Sequence, residues 1–166
     1  AVRITLPNCK SAGELMTQWN DLICANTDAS RFITALVGII DPATRKLDLG
    51  VAGHHMPHVV RHGQKCSNLS AEPEYPLGVI EDVKFASNEI VLAPGPCTLV
   101  TYTDGIIEAM NDETEQYGTD RAMAFLDTVA DLSPQQMINK LRADVKRFCG
   151  NQPQGDDITI LAIHLP

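Results

Sequence analysis

Two short acidic stretches hold the residue types that could do chemistry. Residues 97–105 read Cys-Thr-Leu-Val-Thr-Tyr-Thr-Asp-Gly, so an apolar, β-branched run stops at Asp104-Gly105. Far downstream, Gly155-Asp156-Asp157-Ile158-Thr159 leads into a second apolar run, Ile158 to His164. Each run has the pattern of a buried strand bounded by turn residues. Strands that carry an Asp at one end can bring carboxylates together from distant parts of a chain. Such oxygen donors suit hard cations such as Mg2+ or Mn2+. By residue type alone, Asp-Gly is equally an ordinary turn and Asp-Asp a solvated loop.

The elements that must position these residues follow from periodicity. Ser11 to about Ala25 reads as a helix. Ser11 and Glu14 have capping-box spacing, and Leu15, Met16, Trp19, Leu22 and Ile23 share one face. Trp19 is expected in the core. Phe32 to Asp41 is apolar enough to predict a strand covered on both faces. The turn Asp41-Pro42-Ala43-Thr44-Arg45-Lys46 joins it to an alternating strand, Lys46 to Val51, so part of the sheet is antiparallel. Val59 to His62 predicts a short strand and Glu89 to Ala93 another. Pro94-Gly95-Pro96 predicts a turn that makes strands 89–93 and 97–103 antiparallel neighbours. A helix is expected from about Asp120 to Ala130, with Ala122, Leu126 and Val129 inward. A second starts at Ser133-Pro134, bears the stripe Met137, Leu141, Val145 and Phe148, and stops at Gly150.

Composition sets the limits. The chain has 166 residues, 44% hydrophobic and 20% charged, which is ordinary for one globular domain with a real core. No apolar run approaches the ~20 residues of a membrane span, and the first residues lack the pattern of a signal peptide. The formal net charge of -8 leaves no basic cluster to neutralise a nucleic-acid backbone. Five widely spaced cysteines (Cys9, Cys24, Cys66, Cys97 and Cys149) read as reduced thiols of a cytoplasmic protein. His54, His55, His58 and His62 include zinc-like spacings. Gly53, Pro57 and Gly63 break any helix through them, so hydrogen bonds that order a loop are the expectation.

Several stretches, taken together and in order, resemble one family. They are Phe32-Ile33-Thr34-Ala35-Leu36 leading to Ile40-Asp41-Pro42; Ala52-Gly53-His54; Pro76-Leu77-Gly78-Val79; Pro94-Gly95 followed by Tyr102-Thr103-Asp104-Gly105; Glu108-Ala109; Tyr117-Gly118; and Gly155-Asp156-Asp157-Ile158-Thr159. Each is weak alone. In sequence they resemble the metal-dependent protein Ser/Thr phosphatases of the SpoIIE/RsbU type, a bacterial branch of the PPM phosphatases.

The resemblance implies an α+β fold, an antiparallel β-sandwich flanked by helices in α-β-β-α layers. It also implies a dinuclear Mn2+ or Mg2+ centre that activates a water, so that no Ser, Cys or His nucleophile is needed. By position, Asp104 and Asp156 correspond to metal ligands. Asp157 and Gly105 stand beside them, with Asp157 the alternative ligand. Ala52-Gly53-His54 corresponds to an architectural feature. The implied reaction is hydrolysis of phosphoserine or phosphothreonine on a bacterial regulatory protein, such as a STAS-domain anti-sigma factor antagonist. Sensor or receiver domains upstream and a homodimer are further implications, with neither nucleic acid nor membrane as partner. The family's Asp-x-x-Gly-His-Gly motif, which supplies a bridging Asp, has no counterpart in these residues. Residues 1–4 look like the tail of the helix that follows that motif. The chain therefore corresponds to the C-terminal two-thirds of one such domain, residues 1–166, without its N-terminal strands. A fragment, a pseudophosphatase adaptor that binds a signalling partner, and completion by a second copy through strand exchange are all compatible with that gap.

Overall fold

The computed structural model describes residues 9–28 and 31–166; the expected helix tail at residues 1–4 lies outside them. Among the described residues the fold is mixed α+β, with two antiparallel sheets and three helices. It forms two compact units.

The first unit contains the described residues up to His54 and Ser70–Pro94. Helix α1 spans Ala12–Asn26, and the Ser11 side chain accepts from the Glu14 amide to cap it. The Glu14 carboxylate turns to the Lys10 amide at 2.7 Å, so the reciprocal half of the predicted box shifts by one residue. Strands β1 (Ala35–Asp41) and β2 (Lys46–Ala52) pair along their full length, and β2 continues to a later strand, Asn88–Val91. Leu47, Leu49 and Val51 are buried, as their alternation requires. Met16, Ala52, Leu77 and Phe85 form the core, with Trp19 partly buried against it. A Cβ on Gly50 would stand 2.7 Å from the Met16 sulfur, so the missing side chain lets α1 lie close on β2.

Two expectations fail in this unit. The strand predicted from Phe32 begins only at Ala35, and no residue of β1 is buried; Phe32 is 62% exposed and Ile39 44%. Among the described residues β1 pairs with β2 alone and stands at the edge of its sheet, and with Phe32 and Ile39 open to solvent its apolar run does not have cover on both faces. Leu22, placed on the inner face of α1, is also exposed. Beside its apolar core residues α1 also buries a polar one. Asn20 donates to the Ile80 carbonyl at 2.9 Å and accepts from the Gly78 amide at 2.8 Å, which pins the loop after Leu77.

The second unit holds His55–Leu69 and Gly95–Pro166. Its sheet has the order β4-β3-β6-β7, from β3 (His58–Val60), β4 (Ser67–Asn68), β6 (Cys97–Tyr102) and β7 (Ile160–Leu165). Strand β5 (Asn88–Val91) pairs with β2 and belongs to the other sheet, so the predicted pairing of strands 89–93 and 97–103 is incorrect. Pro94 and Pro96 have no amide proton for a ladder. The Pro-Gly-Pro sequence signals a change of direction, and long-range pairing decides which neighbour each strand finds.

Helices α2 (Thr119–Thr128) and α3 (Pro134–Cys149) contribute Ala122, Leu126, Met137, Leu141 and Val145 to a core with Val60, Val100 and Tyr102. The full capping box forms at Ser133 and Gln136, with Pro134 in the first turn and Gly150 closing the helix.

Candidate functional site

Strands β6 and β7 run antiparallel, and their last aligned pair is Tyr102 with Ile160. The chain leaving β6 and the chain entering β7 therefore meet at one end of the sheet. Asp104 lies in the first of these loops, and Asp156 and Asp157 in the second.

Thr103 joins the loops. Its amide donates to the Thr159 carbonyl at 3.0 Å, which extends the ladder one residue past the strand. Its hydroxyl donates to the Asp157 carbonyl at 2.9 Å and accepts from the Thr159 amide at 2.9 Å. Gly105 tightens the junction. A Cβ there would lie 2.6 Å from the Asp157 carbonyl oxygen and 3.3 Å from that of Asp156. Only glycine permits this approach of backbone to backbone.

The carboxylates are exposed to solvent. Oδ1 of Asp104 accepts from the Gly105 amide at 3.0 Å, and Oδ1 of Asp156 accepts from the Asp157 amide at 2.7 Å. Gln154 donates to the Asp156 carbonyl at 2.7 Å and steadies the second loop. No Lys or Arg occurs between Asp104 and Asp120, so the local field favours cations.

Oxygen donors of this kind match Mg2+ or Mn2+, and Mg2+ typically takes one or two carboxylates and completes its shell with water. Among the described residues no group of three or more His, Cys, Asp or Glu is arranged to hold a metal ion. Asp104 and Asp156 offer oxygen donors of the type a hard cation takes, and among the described residues they fall short of the ligands that a dinuclear centre requires.

The histidine segment takes another role. His58 is 3% exposed, and its ring lies between Asn68 Oδ1, 2.7 Å from Nδ1, and the Tyr102 hydroxyl, 2.6 Å from Nε2. Burial lowers its pKa below 6.5 and outweighs the Asn68 hydrogen bond, which acts in the opposite sense. His62 faces Asp131 at 3.2 Å on the exposed surface. Cys66 is pushed up to about 12 by burial and the nearby Asp127 carboxylate, which keeps it a thiol and a poor nucleophile. All five cysteines are free of disulfides.

Sequence reasoning passed over Thr103, whose β-branched side chain reads as strand filler. Its position directly before Asp104 was the available signal. Its partners on β7 are set by a register that sequence spacing does not reveal.

The family model described as Stage II sporulation protein E (SpoIIE) matches residues 1–166. The chain belongs to the SpoIIE family. Protein IcfG of Synechocystis sp. is 27% identical over 147 residues, covering 87% of this chain and 23% of that protein. The SiaA-PP2C domain of Pseudomonas aeruginosa superposes with a TM-score of 0.78 at 21% identity, over 96% of this chain and 62% of that one. The PP2C phosphatase domain of the cell fate determinant SpoIIE from Bacillus subtilis, solved with a fragment of its regulatory domain, gives 0.73 at 20% identity, over 97% and 47%. At these identities the structural likeness establishes the fold, which is that of PP2C phosphatase domains and corresponds to part of one. This SpoIIE-family chain spans less than two thirds of the length of each of these relatives.

Proposed function

We propose that this chain is the part of a metal-dependent protein Ser/Thr phosphatase that supplies one carboxylate cluster of the active site. The observation that carries the reading is the junction of the Asp104 loop with the Asp156-Asp157 loop, held by Thr103 and Gly105, within a PP2C fold. The family's general dependence on Mn2+ or Mg2+ supports it.

A phosphomonoester presents negative charge to any nucleophile. A divalent cation, when bound, supplies Lewis-acid polarisation and a lower pKa for attacking water. The chain's own residues would hold and aim that cation. Asp104 and Asp156 provide the anionic oxygens, and Asp157 is the neighbouring or alternative donor. Thr103 keeps the two loops in register, and Gly105 removes the side chain that would separate them. The proposed substrate is phosphoserine or phosphothreonine on a regulatory protein, with a STAS-domain anti-sigma factor antagonist as the first candidate. The regulatory fragment in the B. subtilis SpoIIE structure supports a place in signalling. A dinuclear centre would need ligands beyond Asp104, Asp156 and Asp157.

A pseudophosphatase adaptor is the second reading. The observation that favours it is that no group of three metal-ligating residues occurs among those described. Calorimetric titration of the chain with Mn2+, beside Asp104→Asn, separates the two. Binding that is lost in the variant supports the metal site, and hydrolysis of a phosphothreonine peptide by the full-length polypeptide then tests the reaction. An absence of Mn2+ binding together with an absence of hydrolysis by the full-length polypeptide leaves the adaptor.

A further inference from the structure

Three adjacent strands of the second unit are crossed by one line of hydrogen-bonded polar groups, buried at His58 and Tyr102 and open to solvent at Asn68. Asn68 on β4 faces His58 on β3 in direct register. His58 pairs with Val100 on β6, so Tyr102, two residues along, is its diagonal neighbour on the same face. Asn68 Oδ1 can only accept, so the proton of the neutral imidazole sits on Nδ1. That leaves Nε2 as acceptor, and the Tyr102 hydroxyl donates to it at 2.6 Å. The line is thus directional: Tyr102 to His58 to Asn68, with each of these donors and acceptors used.

Tyr102 is the last residue of β6 and pairs with Ile160, the first of β7. The next residue is Thr103, which joins the two acidic loops, and the next after that is Asp104. Strand ends open more readily than strand centres. This end has its terminal side chain fixed by a hydrogen bond inside a packed core, with Tyr102 3% exposed.

We propose that His58 and Tyr102 are positioning residues for the acidic site: the line Asn68–His58–Tyr102 fixes the end of β6 and thereby the backbone that presents Asp104. The proposal rests on the reading of Asp104 as a metal-site carboxylate, and its test is independent of metal.

Amide hydrogen exchange followed by NMR on the 166-residue chain reads the strand end directly. His58→Leu and Tyr102→Phe are expected to raise exchange at the amides of Thr103, Gly105 and Thr159 at least about tenfold, the scale of one lost buried hydrogen bond. Leu141 and Val145 in α3 serve as references and should change less. His58→Gln keeps an acceptor toward Tyr102 and a donor toward Asn68, and should restore protection. Unchanged loop amides overturn the proposal. So does a rise no larger than that in α3, which is global destabilisation alone, or a failure of Gln to restore. Mn2+ titration of the unaltered chain, together with hydrolysis by the full-length polypeptide, decides the acidic-site reading separately: failure of both ends that reading, while the exchange data still decide whether His58 holds the strand end.

Discussion

The hydroxyl of Thr103 donates to the backbone carbonyl of Asp157 at 2.9 Å, so the residue before one candidate ligand is tied to the residue after the other. The same oxygen accepts from the Thr159 amide. One side chain thereby does the work of a ladder pair beyond the end of the strands.

Thr103→Val keeps the shape and removes both bonds. The site is partly solvated, so water replaces some of the loss, and the expected cost is about 1–2 kcal/mol. Urea unfolding measures it. Thr103→Ser should recover most of the difference, and equal stability of Val and Thr at this position would rule out the role given to the hydroxyl.

Gly105→Ala opposes two effects. Fewer unfolded conformations favour Ala by roughly 0.4–1 kcal/mol. A methyl group 2.6 Å from the Asp157 carbonyl must push backbone from backbone, at roughly 1–3 kcal/mol. The steric term is the larger, so the variant should melt lower. Mn2+ affinity should also fall, because the loops move apart. A melting temperature at or above that of the unaltered chain would show that the junction yields easily.

Asp104→Asn and Asp156→Asn each remove a negative donor and leave the fold, since both carboxylates are exposed and, among the described residues, bond to the following amide. Mn2+ binding by the chain, and Mn2+-dependent turnover by the full-length polypeptide, should be lost in both with little change in circular dichroism. Full activity in both variants would sink the phosphatase assignment.

His58 predicts an acid-sensitive contribution to stability. Its folded pKa lies below the ordinary 6.5 because the ring is buried, and His55 adds a like charge when protonated. The unfolded chain therefore binds this proton first as pH falls. The contribution is complete above about 6.5 and is lost between that value and the lower folded pKa. The groups facing the ring are Asn68 and Tyr102, neither charged in this range. Urea midpoints of the unaltered chain and His58→Gln, compared from pH 7.5 to 5, should diverge as the pH falls, with the unaltered chain losing more. Parallel curves would contradict this.

The helices were the most legible elements. Ser133, Pro134 and Gln136 mark the start of α3, and Met137, Leu141 and Val145 its buried stripe, because cap chemistry and the 3.6-residue period are local. The hairpin of β1 and β2 was legible for the same reason, through the turn at Asp41 and the alternation of Leu47, Leu49 and Val51. The partner of β5 was not. Val91 and Cys97 are close in sequence and belong to different sheets, and only competition among all strands settles such pairing. The cover over β1 was misjudged because hydrophobicity records what a residue prefers, not whether the fold supplies a neighbour.

By itself, the sequence determined that Asp104 and Asp156-Asp157 stand at strand ends, that the chain is acidic, and, through motifs in order, that it resembles one phosphatase family. Only the tertiary structure decided that β6 and β7 are adjacent and antiparallel, so that their acidic loops meet at one end of the sheet. It also decided that Thr103 and Gly105 make the junction, and that His58 is a buried hydrogen-bonding group instead of part of a histidine cluster. The physical reason is range. Caps, turns and periodicity act within a few residues. Thr103 and Asp157, or His58 and Tyr102, meet only after loops of many residues have closed and a register has been selected by the burial of one face.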